Sequence, residues 1–150
     1  LECRLPNNKK VIPFRQPNTW RFYDWVDATG SNPISDWLAG ESDAVRFMFD
    51  SVLKDAMKRR NHLEWPCFRH KMNKELGVEG VCELGFKADG RQYRLLVKFD
   101  GVLRMVILCG CYHKENRWTP EGALKSALVR ARTLTRKEAK LHERKIQDDF

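Results

Sequence analysis

A histidine and several cations crowd one stretch of this chain: Lys87, Arg91, Arg94, His113, Lys114 and Arg117, interleaved with Tyr93, Tyr112 and Trp118. Of the side chains here an imidazole most readily gains and loses a proton near neutrality, so His113 is the natural proton donor or acceptor. The planar fork of Arg94 suits a phosphate better than an ammonium does, and Lys87 and Lys114 could complete a clamp of positive charge. Tyr93, Tyr112 and Trp118 offer flat faces for a displaced base. Residues of these types could move a proton beside a bound anion. Each member also has a plainer reading, because an arginine on a strand or a lysine beside a turn is most often simply solvated.

Cys109, Cys111 and His113 alternate along one predicted strand face. Structural zinc sites use paired cysteine knuckles and four ligands, and no fourth ligand is evident, so no metal and no cofactor is expected. A Cys–His nucleophile pair is unsupported too, since a thiol in an apolar strand stays protonated.

The elements that must position these residues lie between Gly80 and Leu134. Asp89-Gly90 and Asp100-Gly101 each separate runs rich in Val, Leu, Phe and Tyr, which predicts a three-stranded antiparallel meander joined by tight turns. Thr119-Pro120-Glu121 has the residue types of a helix start, and Leu124, Ala127, Leu128, Ala131 and Leu134 form the packing stripe of the helix that follows. Upstream, Thr19 to Val26 predicts a strand with Trp20, Phe22 and Asp24 on one face and Arg21, Tyr23 and Trp25 on the other. Ile34 to Ala39 predicts a short helix. Ser42 caps a longer one, whose stripe is Val45, Met48, Phe49, Val52, Leu53 and Ala56. Asn61 to Lys74 reads as loop, with room for a helical turn before the meander. Residues 1–18 read as an irregular arm, and 136–150 as a basic, exposed helical extension.

At 150 residues the chain fits one α+β domain, 19–135, between those two extensions. A net charge of +8 favours acidic or polyanionic partners, although a basic surface kept for solubility accounts for such a charge equally well. No run of 18 apolar residues occurs, no secretory pattern opens the chain, and the five cysteines suit a reducing compartment. A soluble, cytoplasmic protein is expected.

In order and spacing, WRFYDWVDATGSNPISDWL, GVCELGFKADGRQYRLL, VILCGCYHK and TPEGALKSALVRA together resemble the phage-derived, HigB-like branch of the RelE/ParE toxin superfamily, a class found on mobile elements and prophages. The likeness runs from about Trp20 to Leu134. It implies a RelE-like α+β fold: an N-terminal strand, two helices, a three-stranded meander packed on helices, and a long C-terminal helix. It also implies the toxin of a type II toxin–antitoxin pair, a ribosome-dependent mRNA endonuclease with no metal or cofactor, silenced by an antitoxin of helix-turn-helix type. By position, Arg94 matches the arginine that contacts the scissile phosphate in RelE-type nucleases, and Lys87 an active-site lysine. Lys114 matches basic residues that follow the last strand, and Tyr112-His113 an aromatic–histidine pair. The catalytic set implied is Arg94, His113 and Lys87, with Lys114, Arg91, Arg117, Tyr112 and Trp118 on the RNA.

Two positions depart from the family pattern. Gly85 stands where an arginine usually follows Glu-Leu, and Cys82 replaces a common tyrosine. Both keep two rivals open: a ParE-like protein that poisons DNA gyrase without catalysis, and a decayed homologue that binds RNA without cutting it.

Overall fold

The computed structural model describes residues 19–66, 68–69 and 73–146. Along the chain run β1 (Arg21–Val26), α1 (Pro33–Ala39), α2 (Asp43–Met57), a 3-10 turn (His62–Glu64), β2 (Phe68–Arg69), α3 (Lys74–Val78), β3 (Val81–Ala88), β4 (Arg91–Phe99), β5 (Arg104–Lys114), β6 (Arg117–Thr119), α4 (Ala123–Thr135) and β7 (Lys140–Arg144). The seven strands form one sheet in the order β2-β3-β4-β5-β1-β7, with β6 pairing the far half of β5. β1 runs parallel to β5, and every other pairing is antiparallel.

Local chemistry explains the helices. The Asn32 side chain accepts from the Ser35 amide at 3.0 Å to start α1, and Ser42 Oγ accepts from the Val45 amide at 3.2 Å to start α2. Val45, Phe49, Leu53 and Ala56 of α2 are then buried against one side of the sheet, beside Phe22, Tyr93, Leu95 and Ile107. Each large side chain in that stripe contributes roughly 1.5–3 kcal/mol. The small-residue stripe of α4 lies on the opposite side, where Ala123, Ala127 and Ala131 meet Leu96, Val106, Leu108 and Cys109. The sheet is the middle layer.

The meander forms as its alternation predicts, and Asp89 (φ 53°) and Gly90 (φ 70°) make its first tight turn. The second connection is longer than a two-residue turn. It spans Asp100 to Leu103, with Gly101 at φ 93° and Leu103 at φ 54°. β5 also contains a bulge: Leu96 pairs with Cys109 but Val97 with Ile107, leaving Leu108 as the extra residue. Because side chains alternate with period two, this one insertion changes which face everything beyond it occupies. Met105 and Ile107 point to the α2 side, whereas Leu108, Cys109 and Cys111 all belong to the α4 side. Gly110 then faces α1, and the indole of Trp37 lies so close that a Cβ there would sit 2.2 Å from its ring.

The structure corrects four expectations. Three further strands, β2, β6 and β7, join the four that were predicted; β2 arises inside the segment read as loop, and α3 is a helical turn before the meander. Thr119 is not a helix cap, because pairing with Tyr112 holds it in β6; α4 begins at Ala123 after Gly122, whose φ of 82° places it in the left-handed region, and no side chain caps it. Lys114 does not follow the last meander strand but ends it inside a hairpin that turns at Glu115 and Asn116 (φ 51° and 64°). Finally, residues 140–144 are a strand and not a helical extension. The helix stops at Arg136, Lys137 takes φ 59°, and β7 pairs with β1.

That last strand is fastened by a buried ion pair. Asp24, fully buried, receives Arg144 Nε at 2.9 Å on one oxygen and Nη2 at 2.6 Å on the other, with Asn32 Nδ2 at 2.9 Å. The expected arm, 1–18, lies outside the described residues, as do 147–150. Among those described, no helix is long and apolar enough to cross a membrane.

Candidate active site

Residues directly opposed in a sheet share a face, so the register identifies what converges. Arg69 pairs with Glu83, Gly85 with Arg94, Arg94 with Cys111, Gln92 with His113, and His113 with Trp118. All project to the α4 side, at the end of the sheet that α4 leaves uncovered. There Arg69, Asn73, Glu83, Arg94, His113, Trp118 and Leu124 line an open cleft of about 310 Å³. The volume is at the small end of ligand pockets.

Arg94 is the centre of the cleft. Its Nε lies 3.0 Å from Glu83 Oε1, the two side chains being 15% and 9% exposed, and its Nη1 donates to the Tyr93 carbonyl at 3.3 Å. The guanidinium lies across Gly85, where an added Cβ would stand 2.9 Å from Nη1. The glycine read in sequence as a lost cation is what gives Arg94 room to reach Glu83. His113 sits on the next strand with its ring 4.7 Å from that of Trp118, inclined by 36°. A carboxylate, a guanidinium and an imidazole therefore stand on three consecutive strands, opening to solvent on one side. Without the bulge at Leu108, His113 would face away from Arg94.

The other predicted residues divide between the two faces. Lys87, exposed, is on the cleft face, two residues beyond Gly85 towards the turn and roughly 7 Å along the strand. Lys114 is on the opposite face, since alternation along β5 places it with Tyr112, and it pairs with Arg117 across the hairpin. The three-cation clamp of Arg94, Lys87 and Lys114 therefore does not assemble. Arg91 also belongs to that far face, its guanidinium 4.5 Å above the Tyr112 ring. Arg117 does join Trp118 in a second, wider groove with Thr119, Glu121 and Gly122, adjoining the first. Tyr93 cannot stack on a base: it is fully buried, lies parallel to Phe86 at 5.3 Å, and donates its hydroxyl to Glu41 at 2.8 Å, while burial pushes its phenol pKa up.

The described cysteines, Cys82, Cys109 and Cys111, are buried. Burial raises the Cys82 thiol; Cys111, donating its proton to Cys109 and buried, is held protonated far above the ordinary thiol range, while Cys109 is lowered by accepting that bond and by the nearby Arg130 guanidinium. Among the described residues no group of three or more His, Cys, Asp or Glu side chains is placed to hold a metal. The arginines of α4 are engaged elsewhere: Arg130 donates to the Leu108 carbonyl at 2.7 Å and Arg132 pairs with Glu79 at 3.3 Å.

Two charged cleft residues escaped the sequence reading, Glu83 and Arg69, as did the neutral Asn73. An acid between Cys82 and Leu84 has no local signal; only the pairing of β3 with β4 reveals its partner. Arg69 sits in a two-residue strand that no periodicity can announce. No protein-family model, no curated protein and no solved structure matches this chain.

Proposed function

We propose that this protein is a RelE/ParE-type toxin of the HigB-like branch, a metal-independent endoribonuclease that cuts mRNA on the ribosome and is held in check by an antitoxin. The observation that carries this reading is that Glu83, Arg94 and His113 line one cleft, with Arg94 paired to Glu83. The order strand, two helices, meander, helix supports the RelE-like topology.

The chemistry follows from the placement. The Glu83 carboxylate takes the proton of the ribose 2′-hydroxyl, and the freed oxygen attacks the adjacent phosphorus. Arg94 holds the non-bridging oxygens, where negative charge grows. As the bond from phosphorus to the 5′-oxygen breaks, His113 in its imidazolium form gives that oxygen a proton. The products are a 2′,3′-cyclic phosphate and a 5′-hydroxyl, and no oxidant, metal or cofactor enters the balance. Trp118 stacks on the base that follows the cut.

The ParE-like reading is favoured by one feature, the commitment of Arg94 to Glu83, which a purely structural pair would also show. Expression in cells separates the two. Growth arrest with cut mRNA, relieved by Glu83→Gln, supports the nuclease; arrest with intact mRNA and inhibited gyrase supercoiling supports the rival.

A further inference from the structure

Arg69 is exposed and lines the cleft. It stands directly across from Glu83 in the register, but Glu83 is taken by Arg94, and among the described residues Arg69 forms no ion pair with Glu83 or any other acid. We infer that Arg69 binds the phosphate on the 5′ side of the nucleotide whose 2′-hydroxyl attacks, so that the enzyme reads two consecutive phosphates of a single strand.

This rests on the nuclease reading, and the direction comes from the order of the groups across the sheet. β2, β3, β4 and β5 are neighbours in that order, and β6 pairs with β5, so Arg69, Glu83, Arg94, His113 and Trp118 follow one another across one face. The base, Glu83, must meet the 2′-hydroxyl, which belongs to the nucleotide upstream of the cut. The acid, His113, must meet the 5′-oxygen of the nucleotide downstream. The strand therefore lies with its 5′ end towards β2 and its 3′ end towards β6. The backbones of β2 and β4 are two strand spacings apart, about 10 Å. From there both arginine forks reach into the same cleft, and adjacent phosphates of one chain fit between them.

The test uses uncleavable dinucleotides carrying a fluorophore on one base and a deoxyribose at the upstream sugar, measured by anisotropy at low salt with the whole protein. Three probes are compared: without terminal phosphate, with a 5′-phosphate, and with a 3′-phosphate. In the wild type the 5′-phosphate should tighten binding about tenfold, and in Arg69→Ala by no more than about twofold. Arg69→Lys should retain part of the gain. For a 5′-phosphorylated tetranucleotide the salt slope should fall by about 0.7 in Arg69→Ala, the loss of one phosphate contact on a single strand. A 5′-phosphate gain that survives Arg69→Ala, or a dependence on the 3′-phosphate in its place, overturns the inference while leaving the nuclease intact. A wild type that binds none of the probes and cuts no RNA overturns both.

Discussion

The guanidinium of Arg94 occupies the space over Gly85 that a side chain would fill, its Nη1 2.9 Å from where a Cβ would stand. A residue that looks like the loss of an active-site cation is thereby the condition for another to be aligned. A methyl group at position 85 would push the guanidinium of Arg94 aside and loosen its pair with the buried Glu83, while the backbone need not move. Gly85→Ala should therefore lower the melting temperature but leave a cooperatively melting fold, and lower mRNA cleavage by about 100-fold, the scale on which a 1 Å misplacement acts. Cleavage and thermal melting of the same preparation check this; unchanged cleavage would detach Arg94 from the chemistry.

The C-terminal strand depends on one ion pair between residues 120 positions apart, Asp24 and Arg144. Removing the arginine leaves a buried carboxylate with only Asn32 and Ser35 as neighbouring donors. Arg144→Ala should cost about 3–5 kcal/mol in urea denaturation. Amide exchange should become fast over 140–144 while the meander stays protected. Uniform loss of protection would show that β7 does not open separately.

Much of the fold could be read locally because its signals are local. Asp89-Gly90 carries the turn in its own residue types, and Ser42 with the stripe Val45, Phe49, Leu53 and Ala56 carries α2. β7 could not be read: Lys-Leu-His-Glu-Arg has the composition of a solvated helix, and what makes it a strand is a carboxylate on β1. Of the candidate site, Arg94, His113, Lys87 and Trp118 were visible as residue types, but their facing was not. An unbroken alternation would put His113 with Met105 and Ile107, on the side away from Arg94, and the bulge at Leu108 reverses that. Lys114 falls on the wrong side by the same rule. Glu83 acquires meaning only through the register that brings Arg94 beside it.

The buried thiols make a prediction about alkaline conditions. Cys111 keeps its proton in the folded state, through the hydrogen bond it donates to Cys109 and through burial, well above the ordinary value of 9.0, to which it returns on unfolding. Above pH 9 the Cys111 thiol is therefore ionised in the unfolded chain and not in the folded one, so its contribution to stability is full below that pH and declines above it, with the lowered Cys109 thiol acting in the opposite sense. Urea midpoints measured from pH 7 to 10.5 should fall above about pH 9, and less steeply in Cys111→Ser. Identical slopes in the two proteins would place the alkaline loss elsewhere.

The central claim is that Glu83, Arg94 and His113 act together on one phosphodiester. The most direct measurement is cleavage of a translated mRNA in a reconstituted system, with the termini of the fragments identified, for wild type and for Glu83→Gln, which preserves the shape of the pair with Arg94. We predict fragments ending in 2′,3′-cyclic phosphate and 5′-hydroxyl from the wild type, and cleavage reduced about 100- to 10,000-fold in the variant, the range for loss of a general base. Wild-type cleavage by Glu83→Gln, or fragments bearing 5′-phosphates, would contradict the account.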